Sequence, residues 1–312
     1  MQSNTETFKI LSTENDTYFP VIDVRQAPEA SLRATNYNYE MIGSKKLNAM
    51  GLFGNSIKIG IVDSGCIQGV YRYKNFTAER DTDLNGHGSH VTSILLDIAA
   101  AATYYMAKAM DVTGGGTKKQ VIEAIRWLRA ERVNLVNCSF GFNKGVDVLD
   151  LLDLIRECEA EGMIFVCAAG NDGGTPLFPS IYSNVFCVGA VDKDMVVTDF
   201  SNKGLEVDLV APGKDILGLS IKGFVLMSGT SQATPHVTGM LALFMEKSGL
   251  RDFLQVYSFI TQNSVMDLGV RGADGSYGHG LIQPTFGGVQ VVEPKEKKVG
   301  WLKRLLRSIF KN

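Results

Sequence analysis

From residue 57 onward, short apolar runs alternate with segments whose apolar residues recur every three to four positions. Residues 57–62 (IKIGIV) read as a buried strand, followed by a helix carrying Val91, Ile94, Leu95, Ile98 and Ala102. A strand over 104–110 and a helix carrying Val121, Ile122, Ile125 and Leu128 repeat the rhythm. Then come a strand over 133–138, a helix over 148–158, a strand over 163–168 and, after a Gly/Pro loop, another over 185–191. A last long helix starts near Ser231 and runs to about Lys247, with Pro235 close to its first turn, where proline is tolerated. Alternation of this kind predicts an α/β fold: a doubly wound, mostly parallel sheet with helices on both faces.

Both ends depart from that rhythm. Residues 1–36 are polar and irregular and read as an N-terminal extension; 37–285 read as one domain; 286–312 form a lysine-rich spacer and a short tail. With 312 residues the chain can bury a core without disulfides or metals. Lys+Arg 31 against Asp+Glu 33 disfavours a strongly basic nucleic-acid binder. The first twenty residues have neither the basic start nor the apolar run of a secretion signal, and no stretch of eighteen apolar residues occurs, so a cytoplasmic protein is expected. Five cysteines, three of them (Cys138, Cys167, Cys187) inside apolar runs, fit reduced core thiols. Cys66 is read as a buried small residue, with a thiol open to bulky reagents as the alternative. The tail carries seven Lys/Arg and one Glu over 295–312, in a chain of net charge −2, with Trp301, Leu302, Leu305, Leu306 and Ile309 on one helical face. That layout suits a peripheral contact at the inner membrane surface or with a partner.

In an open parallel sheet, ligands sit beyond the carboxyl ends of the strands. The rule selects Asp63, Gly114 to Gly116, Ser139 to Gly141 and Asn171. Three local patterns then fall in order: Asp63 in IVDSG, His87 in NGHGSHV and Ser231 in SGTSQATPHVTG. Each alone has a structural explanation, as a turn residue, a packed histidine and a helix N-cap. Together they offer a hydroxyl nucleophile, an imidazole base and a carboxylate to orient it. Ser231 opens a helix whose free N–H groups favour negative charge, and the Asn171 side chain is a candidate second donor to an oxyanion. There is no CxxC, and His87 and His90 lack the Glu of HExxH, so no metal centre is expected.

The sequence resembles the subtilisin-like serine proteases over roughly residues 37–285. IGIVDSG, GHGSHV, VNCSFG, VCAAGN, VFCVGAVD, FSNKGLEVDLVAPG, GTSQATPHVTG and YGHGLI occur in that family's order. The resemblance implies a triad of Asp63, His87 and Ser231, with Asn171 in the oxyanion hole. It implies an extended peptide substrate held between Gly114, Gly115 and Gly116 on one side and Ser139 and Gly141 on the other. Ala168, Ala169 and Gly170 would wall an apolar specificity pocket, with Leu177 at its floor. The family triplet GTH is Gly88-Ser89-His90 here, and the usual Met after the nucleophile is Gln232.

No cofactor is required by this resemblance. An Asn/Asp-rich calcium loop of relatives is replaced by LLDIAAAATYY, while Glu206 and Asp208, with the Tyr182 carbonyl, match a weaker cation site. The extension is too short for the family's folding-assistant propeptide; it is either a brief autoinhibitory segment or a polar arm packed along the domain, the second being favoured. The implied activity is a serine endopeptidase working through an acyl-enzyme, in intracellular turnover or peptide-precursor processing. The alternatives are a catalytically weak binding module and a serine hydrolase of esters, the latter disfavoured because Ser231 sits in GTSQA and not in GxSxG.

Overall fold

The computed structural model describes residues 7–10, 17–18, 37–142 and 148–284. The basic tail, and the membrane-surface reading placed on it, lie outside the described residues. Two short strands, β1 (Thr7–Ile10) and β2 (Thr17–Tyr18), belong to the extension, and two short helices, α1 (Tyr37–Met41) and α2 (Ser44–Ala49), open the domain. Next come β3 (Lys58–Asp63), β4 (Arg72–Asn75), α3 (His87–Ile98), β5 (Thr103–Lys108), β6 (Gly115–Thr117) and α4 (Lys118–Ala130). β7 (Leu135–Cys138), β8 (Phe140–Phe142), α5 (Leu149–Ala160), β9 (Ile164–Ala168), β10 (Val185–Val191) and β11 (Leu209–Pro212) follow. A hairpin of β12 (Ile216–Ser220) and β13 (Gly223–Met227) leads to the long helix α6 (Thr230–Ser248), then α7 (Phe253–Asn263), β14 (Val265–Met266) and β15 (Leu281–Ile282).

The central sheet has the order β14-β15-β11-β10-β9-β7-β3-β5-β4. Every pairing in it is parallel except β14 with β15. β7, β9, β10 and β11 are buried at every residue, as continuous apolar strands covered on both faces must be. One face packs on α3, α6 and α7, the other on α4 and α5, which gives two cores on either side of one sheet. α3 and α6 pack closely; a Cβ on Gly239 would stand 2.8 Å from Ile98 Cγ2. From β3 the chain runs to β4 and β5 on one side and then crosses to β7 on the other, a change of direction at which an open parallel sheet forms a crevice at its carboxyl ends.

The fold class matches the expectation, with local differences. α3 stops at Ile98, short of Ala102, because the Ala101 N–H turns to Phe53 O at 2.8 Å. α7 is an element the sequence reading did not assign, although Phe253, Val256 and Ile260 are buried at helical spacing and Asp252 caps it by accepting from the Gln255 N–H. All five cysteines are buried and free. Cys66 is among them, and burial pushes its thiol up to about 12.

Beside β11, the Asp208 carboxylate is enclosed. It accepts from the Cys187 N–H at 2.7 Å and the Tyr257 hydroxyl at 2.8 Å, and that hydroxyl also lies 3.1 Å from His279 Nε2. Burial pushes the Asp208 carboxyl up to about 6, against the opposing pull of those two hydrogen bonds. Its folded value lies above the ordinary carboxylate range, so the fold favours the protonated acid. That stabilisation is complete below about pH 4 and is lost as pH rises through about 6. In a Ser231→Ala background, which prevents self-digestion, Asp208→Asn should therefore gain Tm relative to its parent between about pH 4 and 7. Calorimetry across that range checks it, and a difference independent of pH would rule out the carboxylate as the cause.

Candidate active site

Asp63 is the last residue of β3 and is fully buried. Its Oδ1 lies 2.8 Å from His87 Nδ1 and also accepts from the Ser64 N–H at 2.7 Å. His87, 2% exposed, is the first residue of α3, and its Nε2 is buried without a hydrogen-bond partner. The contact requires the first turn of α3 to press onto the turn after β3. Gly88 permits this, since a Cβ there would stand 2.1 Å from Gly65 O and 3.0 Å from Asp63 Oδ1.

A helix N-cap is the structural explanation for Ser231 taken alone. Gly229 is the N-cap instead, and Ser231 is the second helical residue of α6. Pro235 lies inside the helix, not at its start, and it lacks the N–H that would meet the Ser231 carbonyl one turn back. That orphaned carbonyl accepts from Ser139 Oγ at 2.9 Å, while Ser231 Oγ donates to Ser139 O at 2.9 Å. Ser139 Oγ in turn accepts from Asn137 Nδ2 at 3.0 Å, and Asn137 Oδ1 accepts from Thr238 Oγ1 at 3.0 Å. The proline is tolerated because another element supplies the missing donor, and the exchange ties Ser231 to the end of β7.

Asn171 sits just past the end of β9. Its Oδ1 accepts from both the N–H (2.8 Å) and the hydroxyl (2.9 Å) of Thr230, the first residue of α6. Two donors on the oxygen fix the amide, and Nδ2 is left buried without a partner. Thus an unpaired N–H₂ is held beside the helix N-terminus that carries Ser231.

The segments expected to flank a substrate are brought together with an occupant between them. β6, with Gly115 and Gly116, and β8, with Gly141, are both paired antiparallel to β1. Lys9 registers with Gly115 and Gly141, Phe8 with Gly116 and Phe142, and Ile10 with Phe140, the residue after Ser139. β2 pairs with β13 at Val225 and Leu226, shortly before Ser231. Gly114 precedes β6 in the left-handed region at φ 77°. Ala168, Ala169 and Gly170 are buried at the end of β9. The Leu177 N–H donates to Ala169 O at 3.0 Å, and a Cβ on Gly170 would lie 3.2 Å from Leu177 Cδ1, so Leu177 rests against that wall.

A family model described as "Subtilase family" matches residues 54–280. The chain belongs to the subtilase family. Among curated relatives, the minor extracellular protease Epr of Bacillus subtilis (strain 168) is 33% identical over 299 residues, covering 88% of this chain and 46% of its own length. Subtilisin DY of Bacillus licheniformis is 30% identical, covering 79% of this chain and 96% of its own. The major intracellular serine protease of Bacillus subtilis (strain 168) is also 30% identical, covering 72% and 76%. The chain therefore spans about half of the first relative and most of the other two. By family membership it is a serine endopeptidase.

Within this subtilase, sequence reasoning missed several supporting groups. Lys108, fully buried, donates from Nζ to Ser64 O at 2.9 Å and pairs with Glu79 at 3.0 Å, on the turn that follows Asp63. Asp83, four residues before His87, is buried among five donors. A buried cation and a buried anion leave no periodic signal. Asp208, matched to a weak cation site, has its carboxylate engaged by Cys187 and Tyr257, and no cluster of three metal-ligating side chains occurs among the described residues.

The Pro235 exchange is open to measurement. Ser139→Ala strands the Ser231 carbonyl and should cost about 1–3 kcal/mol in urea unfolding of the Ser231→Ala protein. Pro235→Ala returns an N–H to that carbonyl, so the same substitution should cost less there. An equal cost in both backgrounds would mean that Ser139 does not replace the missing donor.

Proposed function

We propose that Asp63, His87 and Ser231 hydrolyse peptide bonds as orienting carboxylate, general base and nucleophile, with Asn171 Nδ2 donating to the oxyanion. The observation that carries this reading is that two of the buried polar atoms without partners among the described residues, His87 Nε2 and Asn171 Nδ2, are the base and the oxyanion donor of this assignment. An unpaired buried polar atom costs about 1–3 kcal/mol, a penalty that a reacting substrate would remove. Asp63 at His87 Nδ1 holds the proton there and leaves Nε2 to accept from Ser231 Oγ. The hydroxyl rests on Ser139 O, an acceptor on the edge along which a substrate strand would lie. A substrate N–H that takes this carbonyl releases the hydroxyl for attack. The imidazolium then protonates the leaving amine, and water hydrolyses the ester on Ser231 with the same base.

The substrate class is an extended peptide or unfolded protein, bound by backbone pairing on β6 and β8, with an apolar residue against Ala168 to Gly170 and Leu177. An intracellular role in turnover or precursor processing is supported by two relatives named as intracellular serine proteases and by five free buried cysteines. No helix among the described residues is long and apolar enough to cross a membrane.

The extension has a part in this function. β1 lies in the slot between β6 and β8, so of the two readings of residues 1–36, competition with substrate is the better supported.

Ser231→Ala should abolish casein digestion and fluorophosphonate labelling while the protein stays folded; persistence of either would remove Ser231 as nucleophile. Asn171→Ala should lower kcat by about 10²–10³ with little change in KM, the usual loss for one oxyanion donor, subtilisin included. A defect mainly in KM would make Asn171 a substrate-positioning residue.

Lys9→Pro in the full-length chain removes an N–H from the middle of β1 and should raise the initial rate on a short chromogenic peptide several-fold. An unchanged rate would show that β1 does not compete with substrate.

A further inference from the structure

The loop before α3 holds a carboxylate that the reading above does not use. Asp83 is 3% exposed and accepts five hydrogen bonds. Oδ1 takes Ser64 Oγ at 3.0 Å, the Asn85 N–H at 3.0 Å and the Gly86 N–H at 2.8 Å; Oδ2 takes the Ser89 N–H at 2.9 Å and Ser89 Oγ at 2.6 Å. Only an acceptor-only side chain satisfies five donors, because an amide in its place would turn an N–H₂ toward some of them.

These donors lie on both partners of the Asp63–His87 contact. On one side Ser64 is the link: its N–H donates to Asp63 Oδ1, and its hydroxyl donates to Asp83 while accepting from the Gly88 N–H at 2.9 Å. On the other side, Asn85 and Gly86 immediately precede His87, and Ser89 lies two positions after it. Gly86, the N-cap of α3, has no side chain with which to cap the helix, so Asp83 supplies the negative charge and acceptors at that end.

We propose that Asp83 is a positioning residue for peptide hydrolysis: it clamps the turn carrying Asp63 to the first turn of α3 carrying His87, and so sets the geometry of the carboxylate–imidazole pair. The proposal rests on the assignment of Asp63 and His87 to catalysis. A group that acts through that pair has a distinguishing property, since its removal matters only while the pair is intact.

The test measures kcat and KM on a chromogenic peptide for full-length Asp83→Asn and Ser64→Ala, each also combined with Asp63→Ala. Asp83→Asn should lower kcat by about 10²-fold, Ser64→Ala by less, with KM within about twofold. In the Asp63→Ala background neither substitution should slow the residual rate further. An unchanged kcat, a change confined to KM, or the same loss repeated without Asp63 would overturn the proposal. Should Asp83→Asn fail to fold, Ser64→Ala decides by the same criteria, because it leaves the carboxylate and four of its donors in place. If Asp63→Ala alone leaves kcat unaltered, the triad assignment fails and this proposal with it, whereas a slow Asp63→Ala beside a normal Asp83→Asn refutes only the positioning role.

Discussion

Everything at the crevice depends on how closely the first turn of α3 sits against the end of β3. The 2.8 Å contact between His87 Nδ1 and Asp63 Oδ1 exists because Gly88 has no Cβ to strike Gly65 O. The approach brings a helix N-terminus, with unsatisfied N–H groups, onto a turn that must supply acceptors. Ser64 Oγ accepts from Gly88, Asp83 accepts from Gly86 and Ser89, and Asn85 Oδ1 accepts from the His87 N–H at 3.2 Å. Lys108 holds the Ser64 carbonyl from the neighbouring strand. A wet, loose turn would let the imidazole rotate; a buried one tied by these hydrogen bonds holds it in one orientation.

The second arm solves a comparable problem differently. α6 is buried over almost its whole length and carries a proline in its second turn, so one of its carbonyls has no helical donor. Ser139 supplies that donor, and the mutual Ser139–Ser231 exchange joins helix to strand. Asn171 is likewise fixed by its oxygen so that its nitrogen is left over. Preorganisation here consists of fixing His87 through Nδ1 and Asn171 through Oδ1, which leaves His87 Nε2 and Asn171 Nδ2 without partners among the described residues.

Without β1, β6 and β8 would be short edges with unpaired backbone groups, and an edge of that kind recruits a strand. The extension fills the gap with β1, and β2 adds to the hairpin that leads into α6. Substrate and extension would use the same main-chain hydrogen bonds, which read no side chain and so cannot tell one extended strand from another.

Most of the architecture was legible in the sequence, because strands buried on both faces are continuously apolar and the helices between them keep a 3.6-residue period. Residues 185–191 match β10 residue for residue, and Asp63, Ser139 and Asn171 were located by the rule that strand ends bind ligands. Short or polar elements carried no such period: β4, β6, β8, β1 and β2 exist through their partners and not through their own composition. Proline at 235 and glycine at 88 were visible as letters, yet their meaning lay in Ser139 and Gly65, which are distant in the chain. Asp83 and Lys108 look like ordinary surface charges until the fold encloses them among donors and acceptors. The sequence by itself determined the layers, the strand ends and the residue types available for acyl transfer, since these follow from local periodicity and chemistry. Which polar atoms are paired, which are left over, and what lies in the cleft were decided only by the tertiary structure, because a hydrogen bond between residues far apart in the chain is a property of their distance in space.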